Sequence, residues 1–262
     1  AFRPLMTAVC DVIERELALY SILFLKVDHY DQAELLELAQ LGIGYLQGKC
    51  ARALFTPANT ALFSPSTLTQ LIELNALAAA PSYRHRGGHP ILLSSEIFPQ
   101  FLSYSGGGGI PDALRSLGIE RQWLDVSDRG ILPDLDRAEQ DAELITVHNE
   151  QLFRPFLRIR LGKESAFMGG RIKLLLTLID ETHSVREACS HISVSYSKAW
   201  KMLNHLEEEL GYEVLTRQQG GKNGGKTALT PAGKKFLSDF TAYEANVRRF
   251  AADEFERIFS KS

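Results

Sequence analysis

Cysteine is scarce in this chain. Cys10, Cys50 and Cys189 are odd in number and far apart in 262 residues, so neither a disulfide framework nor a zinc cluster is implied, and a reducing compartment fits. Long apolar runs are missing too. The longest, around Leu17 to Leu25, is interrupted by Ser21 and stops at Lys26. That falls far short of the roughly 20 residues needed to cross a bilayer, so no membrane segment is expected. No secretory signal is visible either, and a cytoplasmic location follows as the expectation. Acid is missing from one stretch: no Asp or Glu occurs from Val214 to Ser238.

Charge becomes informative when the chain is halved. Residues 1–150 hold 11 Lys and Arg against 19 Asp and Glu, while residues 151–262 hold 18 against 13. The halves therefore carry −8 and +5, which sum to the overall −3. A basic surface joined to an acidic remainder argues for a nucleic-acid module attached to something else. The length fits two domains, expected at 1–150 and 151–262.

The first half reads as α/β. Val12–Tyr20 and Gln32–Leu41 are expected helices, with Ile22–Val27 a β run between them. Ala53–Phe55 and Ile91–Leu93 are expected short strands, Ser66–Leu77 a helix, and another helix starts at Ser95. Such alternation predicts a mostly parallel, doubly wound sheet with ligands beyond the carboxyl ends of its strands. One junction is odd. The helix ending at Tyr20 runs straight into the strand from Ser21 without turn residues, and no methionine precedes Ala1. We expect from this that flexible pieces near the start are absent from the sequence. Gly106–Gly109 reads as a surface loop.

The second half is patterned more sharply. Ile172, Leu175, Leu176 and Ile179 recur at helical spacing. Ser184 then opens S-V-R-E, a capping box in which Ser184 and Glu187 satisfy each other's free N–H groups, and Val185, Ala188 and Ile192 stripe the helix it starts. Ser195 is the expected N-cap of a third helix that buries Ala199, Leu203, Leu206 and Leu210 and ends at Gly211. Its first turns carry Tyr196, Ser197, Lys198 and Lys201 on the other face. That pattern suits a helix-turn-helix whose second helix enters the major groove, and equally a three-helix bundle with a solvated face. Two strands at Tyr212–Leu215 and Thr227–Leu229 then flank a glycine-rich tip with Arg217, Lys222 and Lys226. This is either a wing holding phosphates or a flexible basic loop.

Thr230–Pro231 starts a last helix, reaching about Ile258 and roughly 42 Å long. Phe236, Phe240, Tyr243, Val247 and Phe250 form a seam of period 3.5 along it. The seam is covered either by a twin helix, giving a homodimer, or by the chain's own α/β domain.

Two resemblances add to this. The blocks L-L-x-x-I-D-E-T-x-S, S-Y-S-K-A-W and G-G-K-N-G-G-K-T-A-L-T-P-A-G resemble the DNA-binding domain of the molybdate-responsive, ModE-type regulators. F-L-R-I-R-L-G-K resembles that family's leading strand, so the likeness runs from about Phe153 onward. It implies a winged helix-turn-helix on double-stranded DNA, with Ser195, Tyr196, Ser197, Lys198, Lys201, Arg217, Lys222 and Lys226 at the interface. Tyr196→Ala is then expected to alter sequence preference. The family's molybdate-binding domain is not in this sequence, which leaves any effector to the first half.

More weakly, R-P-L-M, T-P-A-N-T-A-L-F-S-P-S-T-L, R-G-G-H-P-I-L-L-S, S-G-G-G-G-I-P-D-A-L and D-R-G-I-L-P-D-L-D-R-A-E resemble the nucleotidyltransferases of molybdenum cofactor maturation, the cytidylyltransferase branch above all. That implies a Rossmann-like sheet over about 1–143. It points to CTP or a molybdopterin-type compound as ligand, and to Mg²⁺ held by carboxylates. Arg3, Asn59, His89, Asp134 and Asp136 fall on the matching positions, the two aspartates as metal ligands and His89 as a substrate contact. Read without the resemblance, Asp134 and Asp136 suit a solvated loop and His89 an ordinary turn. Asn59 stands where that family has its first metal aspartate, Arg3 where it has a lysine, and the glycine-rich phosphate loop is absent. A catalytically idle, ligand-sensing relative is therefore expected ahead of an active transferase.

Overall fold

The structure, a computed structural model, describes residues 22–27, 33–60, 62–132, 142–217 and 227–259. Its contacts divide between Phe153 and Arg154. One unit comprises Leu25–Phe153, and the other comprises Arg154 onward together with the segment ending at Phe24.

The unit Leu25–Phe153 runs α1 (Leu35–Leu46), β1 (Arg52–Phe55), α2 (Pro65–Glu73), β2 (Ala78–Tyr83), β3 (Arg86–Gly87) and β4 (Ile91–Ser94). It continues with α3 (Phe98–Ser103), α4 (Gly109–Ser116), β5 (Gln122–Asp125) and α5 (Ala142–Gln151). The helix expected from Ser95 opens with a 3-10 turn before α3. Gly109, expected in a loop, starts α4. Ile22–Val27, expected as a strand, pairs in no sheet.

The sheet differs from expectation in direction. β1 with β4, β2 with β4 and β2 with β3 are antiparallel, and among the described strands β2 with β5 is the parallel pair. The doubly wound, Rossmann-like expectation is corrected to a mixed sheet. One of these pairs has a local cause, the turn between β2 and β3, where Arg84 and His85 both take positive φ, 50° and 63°. Two successive left-handed residues make a tight hairpin, which forces antiparallel pairing. Asn and Gly usually mark such turns, so this one left no trace in the sequence.

Period-two alternation then sends β2 to two cores. Ala78 and Ala80 join Leu93, Phe98, Phe101, Ile110 and Leu114 on one face of the sheet. Ala79 joins Leu71 and Leu92 on the other.

The second unit begins with a short hairpin, β6 (Leu161–Gly162) and β7 (Ala166–Met168). The leading strand expected over the F-L-R-I-R-L-G-K block is thus confined to its end. Residues 153–160 have no ladder partner and stay irregular. Next come α6 (Gly170–Thr182), α7 (Val185–His191), α8 (Tyr196–Leu210), β8 (Leu215–Arg217), β9 (Thr227–Leu229) and α9 (Pro231–Phe259). Leu175, Leu176 and Ile179 of α6, Val185 and Ala188 of α7, and Ala199, Leu203 and Leu206 of α8 are buried together with Ile192. Leu210 is half-buried.

The capping box forms by half. Ser184 Oγ accepts the Glu187 N–H at 3.2 Å, but the Ser184 N–H goes to Thr182 Oγ1 at 3.3 Å, so Glu187 has no return bond to make there. The ribbon is antiparallel, with Leu215 opposite Leu229 and Arg217 opposite Thr227. Its first strand starts at Leu215, and the Val214 and Leu215 N–H groups donate to the Glu207 carboxylate at 2.8 and 3.0 Å. The Thr227 N–H donates to the His183 carbonyl at 3.0 Å, which ties β9 to the end of α6.

Candidate nucleic-acid interface

The residues that meet at the start of α8 are set there by local chemistry. Ser195 takes extended backbone and its Oγ accepts the Lys198 N–H at 3.3 Å, satisfying one of the free donors of the first turn. The helix then turns Ala199, Leu203 and Leu206 inward. Tyr196, Ser197, Lys198 and Lys201 are left outward and exposed, together with Ser195 itself. At the other end Gly211 takes φ 76° and its N–H donates to the Glu207 carbonyl, a left-handed stop that suits glycine.

The helix N-terminus thus presents hydroxyls, one phenol and two ammonium groups, with its own partial positive charge behind them. That is a surface for polyanion. Ribbon and helix belong to the same unit: Arg217 ends β8, while Lys222 and Lys226 lie outside the described residues, as does the side chain of Arg217.

One cation escaped the sequence reading. Arg186, second residue of α7 and exposed, sets its guanidinium 5.4 Å from the Tyr196 ring centroid. Tyr196 meets Trp200 edge-on, with centroids 6.0 Å apart and planes at 80°. In the sequence Arg186 looked like an ordinary member of a capping box. The signal available was its place in the first turn of the first helix of the pair, which in helix-turn-helix proteins crosses the DNA backbone.

Behind the interface, α9 is seated on α6. The Thr230 Oγ1 accepts the Gly233 N–H at 2.9 Å, with Pro231 as the first helical residue. Lys173 of α6 reaches Glu244 at 2.8 Å, Arg248 reaches the same carboxylate at 2.8 Å, and Lys234 pairs with Asp180 at 3.0 Å. Burial pushes the Glu244 carboxyl up, but the hydrogen bonds and charges of Lys173 and Arg248 outweigh it and hold it below its ordinary value. Phe240 is buried against this half, whereas Tyr243 at 49% and Phe250 at 71% are exposed further along the seam.

The sites expected in the first unit are scattered by comparison. Asn59 stands exposed in the turn after β1, and His89 precedes β4. The pairing of Phe55 with Ile91 puts both at one end of the sheet. The His89 ring lies 6.3 Å from that of Phe55. Burial pushes its imidazole below the ordinary value, a backbone hydrogen bond at Phe55 opposes this, and Arg121 adds to the depression. His89 is therefore neutral at neutral pH, and its buried Nδ1 has no hydrogen-bond partner.

Arg3, Asp134 and Asp136 lie outside the described residues. Among the described residues no group of three His, Cys, Asp or Glu side chains is placed to hold a metal ion. Asn59 offers a neutral amide, so the described part of the site does not fit magnesium.

A cavity of about 530 Å³ opens elsewhere in this unit, between the start of α2, the loop after β5, and α5. Asp128 builds its wall, accepting the Ser64 N–H at 2.6 Å, the Thr67 hydroxyl at 2.7 Å and the Gly130 N–H at 2.9 Å. Gln70, Arg129 and Gln151 line it. The S-P-S-T cap and D-R-G turn that make it are readable in the sequence; their meeting is not.

No helix among the described residues is long and apolar enough to cross a membrane.

Comparison with known proteins finds likeness over part of the chain. The chain is 36% identical over 89 residues to the molybdenum-pterin-binding protein MopB of Rhodobacter capsulatus, covering 34% of this chain and 33% of that one. It is 33% identical over 88 residues to the transcriptional regulator ModE of Haemophilus influenzae, 34% of each chain. To the molybdenum transport protein ModE of Herbaspirillum seropedicae it is 35% identical over 68 residues, 26% of this chain and 25% of that one. The chain thus spans about a third or less of the length of the curated relatives it matches. Residues 172–234, from α6 to the first turn of α9, match the family model described as bacterial regulatory helix-turn-helix protein, lysR family, and the unit they belong to carries a helix-turn-helix followed by a long helix.

Proposed function

We propose that this chain is a DNA-binding transcriptional regulator, acting in the cytoplasm as a homodimer, whose target genes concern molybdenum or its cofactor. The observation that carries the proposal is the first turn of α8, where Ser195, Tyr196, Ser197, Lys198 and Lys201 are exposed on a segment that matches a regulatory helix-turn-helix. In such proteins this end of the second helix enters the major groove, and lysines neutralise phosphates. Arg217, Lys222 and Lys226 are assigned to the flanking phosphates. The molybdenum connection rests on the similarity to ModE and MopB. The exposed second half of the seam supports burial of α9 against a twin, which spaces two recognition helices about one DNA turn apart.

For the first unit we propose a ligand-sensing role in a nucleotidyltransferase-like domain. Its effector would be CTP or a molybdopterin-type compound.

The test is titration of labelled duplex carrying a promoter of a molybdenum-related gene. Wild type is expected to bind, and the double variant Lys198→Ala, Lys201→Ala to bind at least ten-fold more weakly at moderate salt. Equal binding by both would refute the assignment of α8.

A second reading, a molybdenum cofactor cytidylyltransferase with an accessory DNA-binding unit, is favoured by the cavity at the carboxyl end of β5, where α/β sheets hold ligands. Pyrophosphate release from CTP, Mg²⁺ and molybdopterin cofactor would establish it.

A further inference from the structure

The residue pattern alone assigns Tyr196 to reading bases. Its contacts point elsewhere. The ring is engaged on two sides, by the Arg186 guanidinium at 5.4 Å and by Trp200 edge-on at 6.0 Å. A phenol held between a cation and an indole has little freedom to follow a base edge. Arg186, in contrast, is exposed at the start of α7, and among the described residues it has no carboxylate partner. Glu187 follows it in the sequence but lies about 100° further round the helix.

A guanidinium held near an aromatic ring still has N–H donors to offer, and those are what phosphate accepts from. The first helix of a helix-turn-helix crosses the DNA backbone while the second enters the groove. We propose that Arg186 is a phosphate clamp on the DNA backbone, and that Tyr196 is the positioning residue that holds it, with Trp200 bracing the ring. This rests on the DNA-binding reading above. Arg186 thereby joins the ribbon cations Arg217, Lys222 and Lys226 as a contact that fixes register without carrying sequence information.

The experiment is a salt titration of binding to two duplexes of unrelated sequence, with the full chain and single and double variants. Arg186→Ala is expected to weaken binding to both duplexes by the same factor and to flatten the log–log salt slope by about 1.8, the signature of one lost phosphate per protomer of the dimer. Tyr196→Ala is expected to weaken both by about two- to five-fold, the range of an exposed cation–ring contact. Tyr196→Phe keeps the ring and is expected to bind like wild type. The double variant Arg186→Ala, Tyr196→Ala should be no weaker than Arg186→Ala alone, because one contact has been removed twice. Thermal unfolding of each variant separates binding effects from loss of fold.

An unchanged slope in Arg186→Ala, while Lys198→Ala still loses affinity, overturns the clamp and leaves the DNA-binding reading standing. A changed preference between the duplexes in Tyr196→Ala makes that residue a base reader and equally overturns it. Wild type that retains neither duplex sinks the underlying reading itself.

Discussion

Gly233 lies in the first turn of α9, where a Cβ would meet the Val214 carbonyl oxygen at 2.3 Å. The neighbour is backbone, already accepting the Thr230 N–H at 2.9 Å, and cannot swing aside. Gly233→Ala is therefore expected to destabilise by about 1–3 kcal/mol through overpacking, read as a lower denaturation midpoint with unchanged slope.

Glu244 makes the other residue-scale prediction. It is buried, and its carboxyl is held below the ordinary value because two cations donate to it. A depressed carboxyl contributes stability that is present above its unfolded value, about 4.3, and lost as pH falls through the folded one. Acid should loosen the α6–α9 packing in that window, and Glu244→Ala should remove this part of the pH dependence. The substitution also strands Lys173 partly buried. A cost near the low end of about 3–5 kcal/mol is expected, since Arg248 at 40% exposure is screened by water. His89 acts in the same direction at higher pH. Its depressed imidazole is neutral in the fold, so its contribution is present above about 6.5 and lost below.

At the scale of elements, caps and faces decide. Removing the Ser195 cap, as in Ser195→Ala, is expected to cost about 1 kcal/mol and to fray the turn that carries Lys198. Circular dichroism and binding should fall together. The 29 residues of α9 extend well past its contacts with α6, which involve Lys173 and Asp180. Phe250→Glu, far along that helix and exposed, should leave the fold intact. It is expected to raise the concentration needed for self-association, measured by sedimentation, because a charge cannot be buried in a twin-helix seam without a partner. Unchanged sedimentation would refute the seam as a dimer contact.

At the scale of the whole molecule, an acidic half is joined to a basic half, so affinity for DNA should depend steeply on salt. With about eight phosphate contacts in a dimer, from Arg186, Arg217, Lys222 and Lys226 of each protomer, binding should fall on the order of 10⁴-fold between 50 and 200 mM salt. If the first unit senses a ligand, linkage requires that DNA and ligand alter each other's affinity by the same factor. Calorimetry with CTP or a molybdopterin-type compound, with and without duplex, measures that factor.

What the sequence determined by itself was whatever depends on near neighbours in the chain. The spacing of Leu203 and Leu206, the caps at Ser184 and Ser195, Gly211 and Thr230–Pro231 are all written within a turn or two. These features specify three helices, the ribbon strand at Thr227–Leu229 and the long last helix. Tertiary structure alone decided pairings between distant residues. The Arg84–His85 hairpin set β3 antiparallel to β2 without a Gly or Asn to announce it, and Asp128 stitched two loops 64 residues apart into a cavity. Arg186 came to rest on Tyr196 across a turn, a contact that hydrophobic period cannot encode because both residues face water.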